Sequence, residues 1–155
     1  MQPVEAHTEE LLRMPCLCAT LRRATRVVTQ LYEEAFRPLG LTAPQYTVMA
    51  VLTFGGPMPH TRLGELLATD ATTLTRTLQL MTRNGWIETA TGQDRRQRIV
   101  SLTGEGAAIF ERAKPVWQAV QQKLYQAYGT AEWSRLFTLV DRATEGALHV
   151  LGPTR

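Results

Sequence analysis

The sequence predicts a mainly α-helical fold carrying one small β-hairpin, and three observations predict it. Apolar residues recur at helical spacing through most of the 155 residues. Two short strand-like segments, Trp86 to Ala90 and Arg98 to Leu102, interrupt that pattern and flank the polar run Thr91 to Gln97. Long apolar stripes near both ends belong to helices that so small a domain cannot cover by itself. The length suits one domain with a real core and is short for two ordinary ones.

Residues 1 to about 12 are polar and expected to fray. From about Leu12 to Arg37, the residues Leu17, Leu21, Ala24, Val28, Leu31 and Ala35 mark a first helix, which Pro38 and Gly40 end. Thr42-Ala43-Pro44-Gln45 has the form of a capping box and opens a second helix to about Phe54. Gly55-Gly56-Pro57 breaks it. Met58 to His60 has room for a short strand. Thr61 is expected to cap a third helix through Ala68, with Leu63, Leu66 and Leu67 facing in.

Asp70 caps the fourth helix, which runs to about Asn84. Its apolar positions Leu74, Leu78 and Met81 are spaced i, i+4, i+7, and Asn84-Gly85 stops it. After the hairpin, Thr103 is expected to cap a long helix to about Tyr128. Gly104 and Gly106 weaken its first turn. Pro115 lies inside it, where a proline costs about 3 kcal/mol and predicts a bend. Thr130 is expected to cap the last helix, through about Val150. Its stripe Leu136, Leu139, Val140, Ala143, Ala147 and Val150 calls for a second copy of the chain.

Composition narrows the function classes. The chain is 44% hydrophobic and 20% charged, which argues against disorder over most of its length. A net charge of +3 favours a polyanion partner without requiring one. No apolar run approaches the ~20 residues of a membrane span, and no signal peptide is evident. Cys16 and Cys18 sit too close together for a structural staple, so a reduced, cytoplasmic setting is expected. His7, His60 and His149 are scattered. No Gly-rich phosphate loop, His-x-x-His pattern or Ser nucleophile motif occurs, so neither an enzyme, a cofactor nor a metal site is expected.

The fourth helix and the hairpin carry the functional signal. Thr is a mediocre helix former, yet four of them stand between Thr72 and Thr77, beside Arg76. Hydroxyls and an Arg at the start of a helix suit readout of base edges in a major groove. Arg95, Arg96 and Arg98 cluster in the hairpin about one helix downstream, where they suit a minor groove or phosphates. Helix, turn, helix and hairpin together form a winged helix-turn-helix, spanning about residues 42–103.

At this point the chain resembles the MarR family of transcriptional regulators. The matching residues are Gly40-Leu41-Thr42 with Gln45-Tyr46, Leu63-Gly64-Glu65-Leu66-Leu67 and the Thr75-Arg76 pair. The link Asn84-Gly85-Trp86-Ile87, the wing Asp94-Arg95-Arg96-Gln97-Arg98 and Leu102-Thr103-Gly104-Glu105-Gly106, similar to the family's L-T-x-x-G, also match. The resemblance covers residues 12 to 150 and implies one domain over 1–155, with dimerisation helices at about 12–38 and 104–151. It implies a homodimeric repressor on double-stranded DNA at a pseudo-palindromic operator, released by a small aromatic or phenolic ligand. Thr72, Thr73, Thr75, Arg76 and Gln79 would then lie in or beside the major groove. Arg96 would enter the minor groove, and Arg95 and Arg98 would touch phosphates or brace the wing. A ligand pocket would draw on Tyr32, Tyr46, Met49 and His60 or Trp86.

The alternative signal is oxidation. In the hydroperoxide-sensing branch of the family a reactive Cys stands near the start of the first helix, where Cys18 (or Cys16) falls here. Tyr32 matches one of that branch's tyrosines, whereas the other two positions hold Arg22 and Ala43.

Overall fold

A computed structural model describes residues 16–92, 94 and 97–152. The order is α1 (Leu17–Phe36), a 3-10 turn (Arg37–Leu39), α2 (Ala43–Gly55), β1 (Met58–Pro59), α3 (His60–Leu66) and α4 (Ala71–Arg83). Then follow β2 (Ile87–Thr91), β3 (Arg98–Leu102), α5 (Gly104–Tyr128) and α6 (Thr130–Leu151). The expected start of the first helix, near Leu12, lies outside the described residues.

Local chemistry sets several helix starts. The capping box at α2 is complete: the Thr42 N–H donates to Gln45 Oε1 at 2.9 Å, and the Gln45 N–H donates to Thr42 Oγ1 at 3.4 Å. At α4 the Thr73 N–H donates to Asp70 Oδ1 at 2.9 Å. Thr103 closes the start of α5 by accepting from the Gly106 N–H at 3.0 Å. Two expected caps are corrected. α3 begins at His60 behind Pro59 with no side-chain cap, so Thr61 lies inside the helix. α6 is led in by Gly129, whose φ of 76° starts the chain on a new course, and Thr130 is its first helical residue. The Thr130 hydroxyl instead meets the Tyr125 phenol at 2.7 Å.

The sheet holds one strand more than a hairpin. β2 and β3 pair antiparallel from Ile87↔Leu102 to Thr91↔Arg98, and β1 adds to the other edge of β3 through Met58↔Val100 and Pro59↔Ile99. β1 thereby ties the start of α3 to the base of the hairpin. Burial falls away along the hairpin: Ile87 and Val100 are buried, while Glu88 to Thr91 and Arg98 are exposed. The outer hairpin is therefore held by its ladder rather than by packing.

The chain divides into two compact units, one up to Ala113 and one from Lys114. The first has a core built around Phe36, Met49, Leu63, Leu74, Met81 and Val100, each essentially fully buried. Leu66 is a correction here: it is half exposed, and of the three α3 residues expected inside only Leu63 is fully covered. In the second unit Trp133 packs edge-on to Tyr125 and Phe137 with centroids 5.9 and 5.0 Å away. α5 runs through Pro115 without a break.

Candidate nucleic-acid interface

The candidate interface is the outward side of α4, the base of the hairpin and the start of α3. α4 stands with Leu74, Leu78 and Met81 buried. Helical geometry then turns the residues between them outward. Thr72, Thr75, Arg76 and Gln79, spaced i, i+3, i+4, i+7, are all exposed and line one open depression of about 440 Å³ together with Ala71. Arg83, in the last turn of the same helix, is exposed too. This stripe offers hydroxyls, a guanidinium and an amide on one surface, the donor and acceptor types that meet base edges.

Thr73 does not join that stripe. Its hydroxyl donates to Asp70 Oδ2 at 2.6 Å while its N–H is held by Oδ1. With Thr77, Pro44, Thr47 and Leu67 it lines a separate depression of about 270 Å³. The Thr73 side chain thus completes the helix cap, and the Asp70 carboxyl is held below its ordinary value of 3.8, first by that hydroxyl and then by the backbone N–H. A carboxylate at this end also complements the helix dipole.

The turn into α4 and the turn out of it have the same construction. After α3, the Thr69 N–H reaches the Gly64 carbonyl and the Ala68 N–H reaches that of Glu65, each at 3.1 Å. After α4, the Trp86 N–H reaches the Met81 carbonyl at 2.9 Å and the Gly85 N–H that of Thr82 at 3.0 Å. Both are Schellman turns, which place their penultimate residue in the left-handed region. Gly85 takes it at φ 73°, and Ala68 takes it at φ 47°.

The hairpin is anchored to α5 rather than left hanging. The Thr103 hydroxyl donates to the Gly85 carbonyl at 2.6 Å, and the Thr103 N–H donates to the Trp86 carbonyl at 3.1 Å. Gly106 lies against that same carbonyl: a Cβ there would stand 1.9 Å from the Trp86 oxygen. Helix propensity marks Gly106 as a weak helix former, and the structure gives it a packing reason. Its signal was the fixed spacing Leu102-Thr103-x-x-Gly106. Farther out, the Gly92 N–H donates to the Gln97 carbonyl and the Gln97 N–H to that of Asp94, both at 2.9 Å. Arg98 is exposed at the inner end of the loop. Arg95 and Arg96, the expected wing-tip contacts, lie outside the described residues.

The four residues expected to form a ligand pocket do not come together. Tyr32, Phe36, Tyr46 and Phe110 form a series of rings with centroids 6.2, 5.0 and 5.2 Å apart. Tyr46 and Met49 are buried in the core, and Tyr32 is the half-buried end of the series. Burial, the Glu111 carboxylate and Tyr32 push the Tyr46 phenol up to about 12. His60 stands elsewhere. Its Nε2 is 3.4 Å from Thr75 Oγ1, and its ring lines a depression of about 180 Å³ with Pro59, Thr61, Gln97 and Arg98. Sequence reasoning missed this placement. The available signal was that His60 directly follows the strand that pairs with the hairpin.

Cys16 and Cys18 are both free and exposed at the start of α1. Tyr32 shares that helix fourteen residues beyond Cys18, about 21 Å along the axis at 1.5 Å per residue. Within one chain the two cannot meet.

A capped helix with a polar outward stripe, preceded by a short helix and followed by an anchored hairpin, defines a winged helix-turn-helix. No protein-family model matches the chain. Among curated proteins, the organic hydroperoxide resistance transcriptional regulator of Bacillus subtilis is 33% identical over 98 residues, 63% of this chain and 67% of the relative. The multiple antibiotic resistance protein MarR of Escherichia coli is 34% identical over 98 residues, covering 63% and 66%. The matched region thus spans about two thirds of these relatives. Among solved structures, the M. tuberculosis transcriptional regulator MosR in complex with DNA superposes with a TM-score of 0.75 at 33% identity, covering 86% of this chain and 98% of that one. A cysteine-to-serine mutant of E. coli MarR complexed with operator DNA gives 0.75 at 28% identity, covering 82% and 92%. The chain belongs to the MarR family of transcriptional regulators.

Proposed function

We propose that this chain is a homodimeric repressor that binds double-stranded DNA at a pseudo-palindromic operator and acts in the cytoplasm. α4 enters the major groove, and the hairpin, with Arg96 at its tip, enters the flanking minor groove. The observation that carries the reading is the exposed stripe Thr72, Thr75, Arg76 and Gln79 on a helix whose opposite side is buried. Arg76 and Gln79 read base edges, and Thr72 and Thr75 offer a hydroxyl or a methyl. Arg98, Arg95 and the helix N-termini hold phosphates. Thr73 supports the stripe by fixing the cap rather than by touching bases. The DNA complexes of MosR and of the MarR mutant support this reading.

The homodimer reading is supported by α6. That helix spans 22 residues and none of them is buried, although Leu136, Phe137, Leu139 and Val140 are all large and apolar. A second copy covers them. Two recognition helices about one DNA turn apart, ~34 Å, then match two half-sites. A small aromatic or phenolic ligand that binds the wrong spacing better releases the DNA by population shift. Tyr32, the half-buried ring that α1 adds to the series, is where such a ligand would meet the core.

Anisotropy of labelled DNA from upstream of the chain's own gene, at several salt concentrations, tests the DNA reading. Tight binding that weakens steeply with salt is expected, since phosphate contacts release counterions. Weak binding that is indifferent to both salt and sequence overturns it.

The second reading is a thiol switch at Cys18 or Cys16. It is favoured by their exposure and by the relative named for organic hydroperoxide resistance. Because Tyr32 is about 21 Å from Cys18 along α1, Tyr32 could stand beside the thiol only from a second subunit. Mild organic hydroperoxide is expected to abolish DNA binding by the wild type and to leave Cys18→Ser bound. Equal loss in both moves the switch to Cys16 or removes it.

A further inference from the structure

We propose that His60 is a positioning residue for DNA sequence readout, holding the Thr75 hydroxyl as a hydrogen-bond acceptor toward the major groove. The inference rests on the reading of α4 as the recognition helix and goes beyond it, because it assigns the chemistry of one base contact.

A threonine hydroxyl has a single proton and two lone pairs. Thr75 donates that proton to the Ala71 carbonyl at 2.7 Å. The longer approach of His60 Nε2, at 3.4 Å, then runs the other way: the imidazole N–H donates to Thr75 Oγ1. Two partners on different elements fix the rotamer, one from the preceding turn of α4 and one from the first residue of α3. What remains toward solvent is one lone pair and the methyl group. A hydroxyl held in this way cannot donate to N7 or O6 of guanine. It can accept from the exocyclic amino group of adenine or cytosine, and its methyl can meet the methyl of thymine.

His60 is placed to do this by the fold. β1 pairs Pro59 with Ile99, so the backbone immediately before His60 is fixed by the hairpin. Its ring shares a depression with Gln97 and Arg98 at the hairpin base. The ring therefore stands between the two DNA-facing elements and links the setting of Thr75 to that of the hairpin.

Selection of duplexes from a random-sequence DNA library, followed by anisotropy on single-base variants of the enriched site, tests this. Wild type, His60→Ala, His60→Gln, Thr75→Val and Arg76→Ala are compared. The wild type is expected to prefer adenine or cytosine at one position of each half-site. His60→Ala and Thr75→Val should weaken that preference at the same position by about 3- to 10-fold, the range for one neutral hydrogen bond. His60→Gln, which keeps an N–H donor, should restore part of it, and Arg76→Ala should act at a different position. Unfolding midpoints for each variant separate loss of readout from loss of fold. A His60→Ala site identical to that of the wild type, or loss spread evenly over all positions, overturns the proposal while leaving the DNA reading intact. A wild type that enriches no sequence overturns the DNA reading, and this inference with it.

Discussion

α4 and α6 are both amphipathic helices, and they end up in opposite situations. α4 has Leu74, Leu78 and Met81 covered by its own chain and presents polar groups outward. α6 is nearly twice as long, bears Leu136, Phe137, Leu139 and Val140, and has no buried residue. The apolar stripe of α4 is therefore covered within one chain, whereas that of α6 is left uncovered. A helix draws most of its stability from packing of its apolar face. The contrast thus separates the helix we propose to read DNA from the helix we propose to set how many copies read it.

A charge in the uncovered stripe should break that contrast most strongly. Leu139→Asp is expected to convert a dimer, at twice the 17.4 kDa chain mass, to a monomer. Affinity for a two-half-site DNA should fall by at least about 100-fold, because the second half-site no longer binds intramolecularly. Light scattering after size exclusion and anisotropy measure the two effects. An unchanged mass would show that the stripe faces something other than a second copy.

The converse test strikes the winged unit inside one chain. Gly106→Ala puts a Cβ where the Trp86 carbonyl oxygen stands 1.9 Å away. Backbone has to move, at a cost of about 3 kcal/mol, read in urea unfolding. The damage should reach the hairpin, since Thr103 bonds both Gly85 and Trp86. A loss no greater than that of an ordinary exposed glycine, about 0.5 kcal/mol or less, would mean that the start of α5 can slide.

The same contrast explains which features are legible in the sequence. Thr42 with Gln45 and Asp70 with Thr73 are caps made within one turn, so four residues specify them. The buried stripe of α4 follows from its own period. Thr61 and Thr130 have the right residue type at the wrong position, because the N-cap places fall on Pro59 and Gly129, which offer no side-chain oxygen to accept from the first turn. The pairing of β1 with β3 joins residues about forty positions apart, which no local pattern encodes. Thr72 and Thr73 look equivalent as letters. They part because Asp70 captures one hydroxyl and leaves the other on the open face. His60 reads as a pocket residue until β1 turns it toward Thr75. Tyr32 and Cys18 look like partners until their shared helix sets them about 21 Å apart.

Acid should loosen α4 at its cap. The Asp70 carboxyl is held below 3.8 in the folded chain, so its contribution is fully present above that value and is lost as pH falls through the folded one. Wild type should be more stable than Asp70→Ala near neutrality, and the gap should narrow as pH falls below 3.8 through the lowered folded value. Thermal unfolding across that range measures it. A gap that stays constant would show that the cap acts through shape and not through charge.

The smallest expected effect compares the two ends of the recognition segment. Gly85 and Ala68 occupy the same place in the same turn, at φ 73° and 47°. A left-handed alanine costs about 1–2 kcal/mol in the folded chain. Ala68→Gly removes that cost and adds about 0.5–1 kcal/mol through the greater freedom of the unfolded chain. The balance is a gain of roughly 0–1.5 kcal/mol, visible as a small rise in the urea midpoint at constant slope. DNA affinity should stay level, because the Schellman bonds from Thr69 and Ala68 already fix the path into α4. If stability rises and affinity falls, the alanine at this turn serves the setting of α4 and not the stability of the fold. The two turns would then differ for a functional reason.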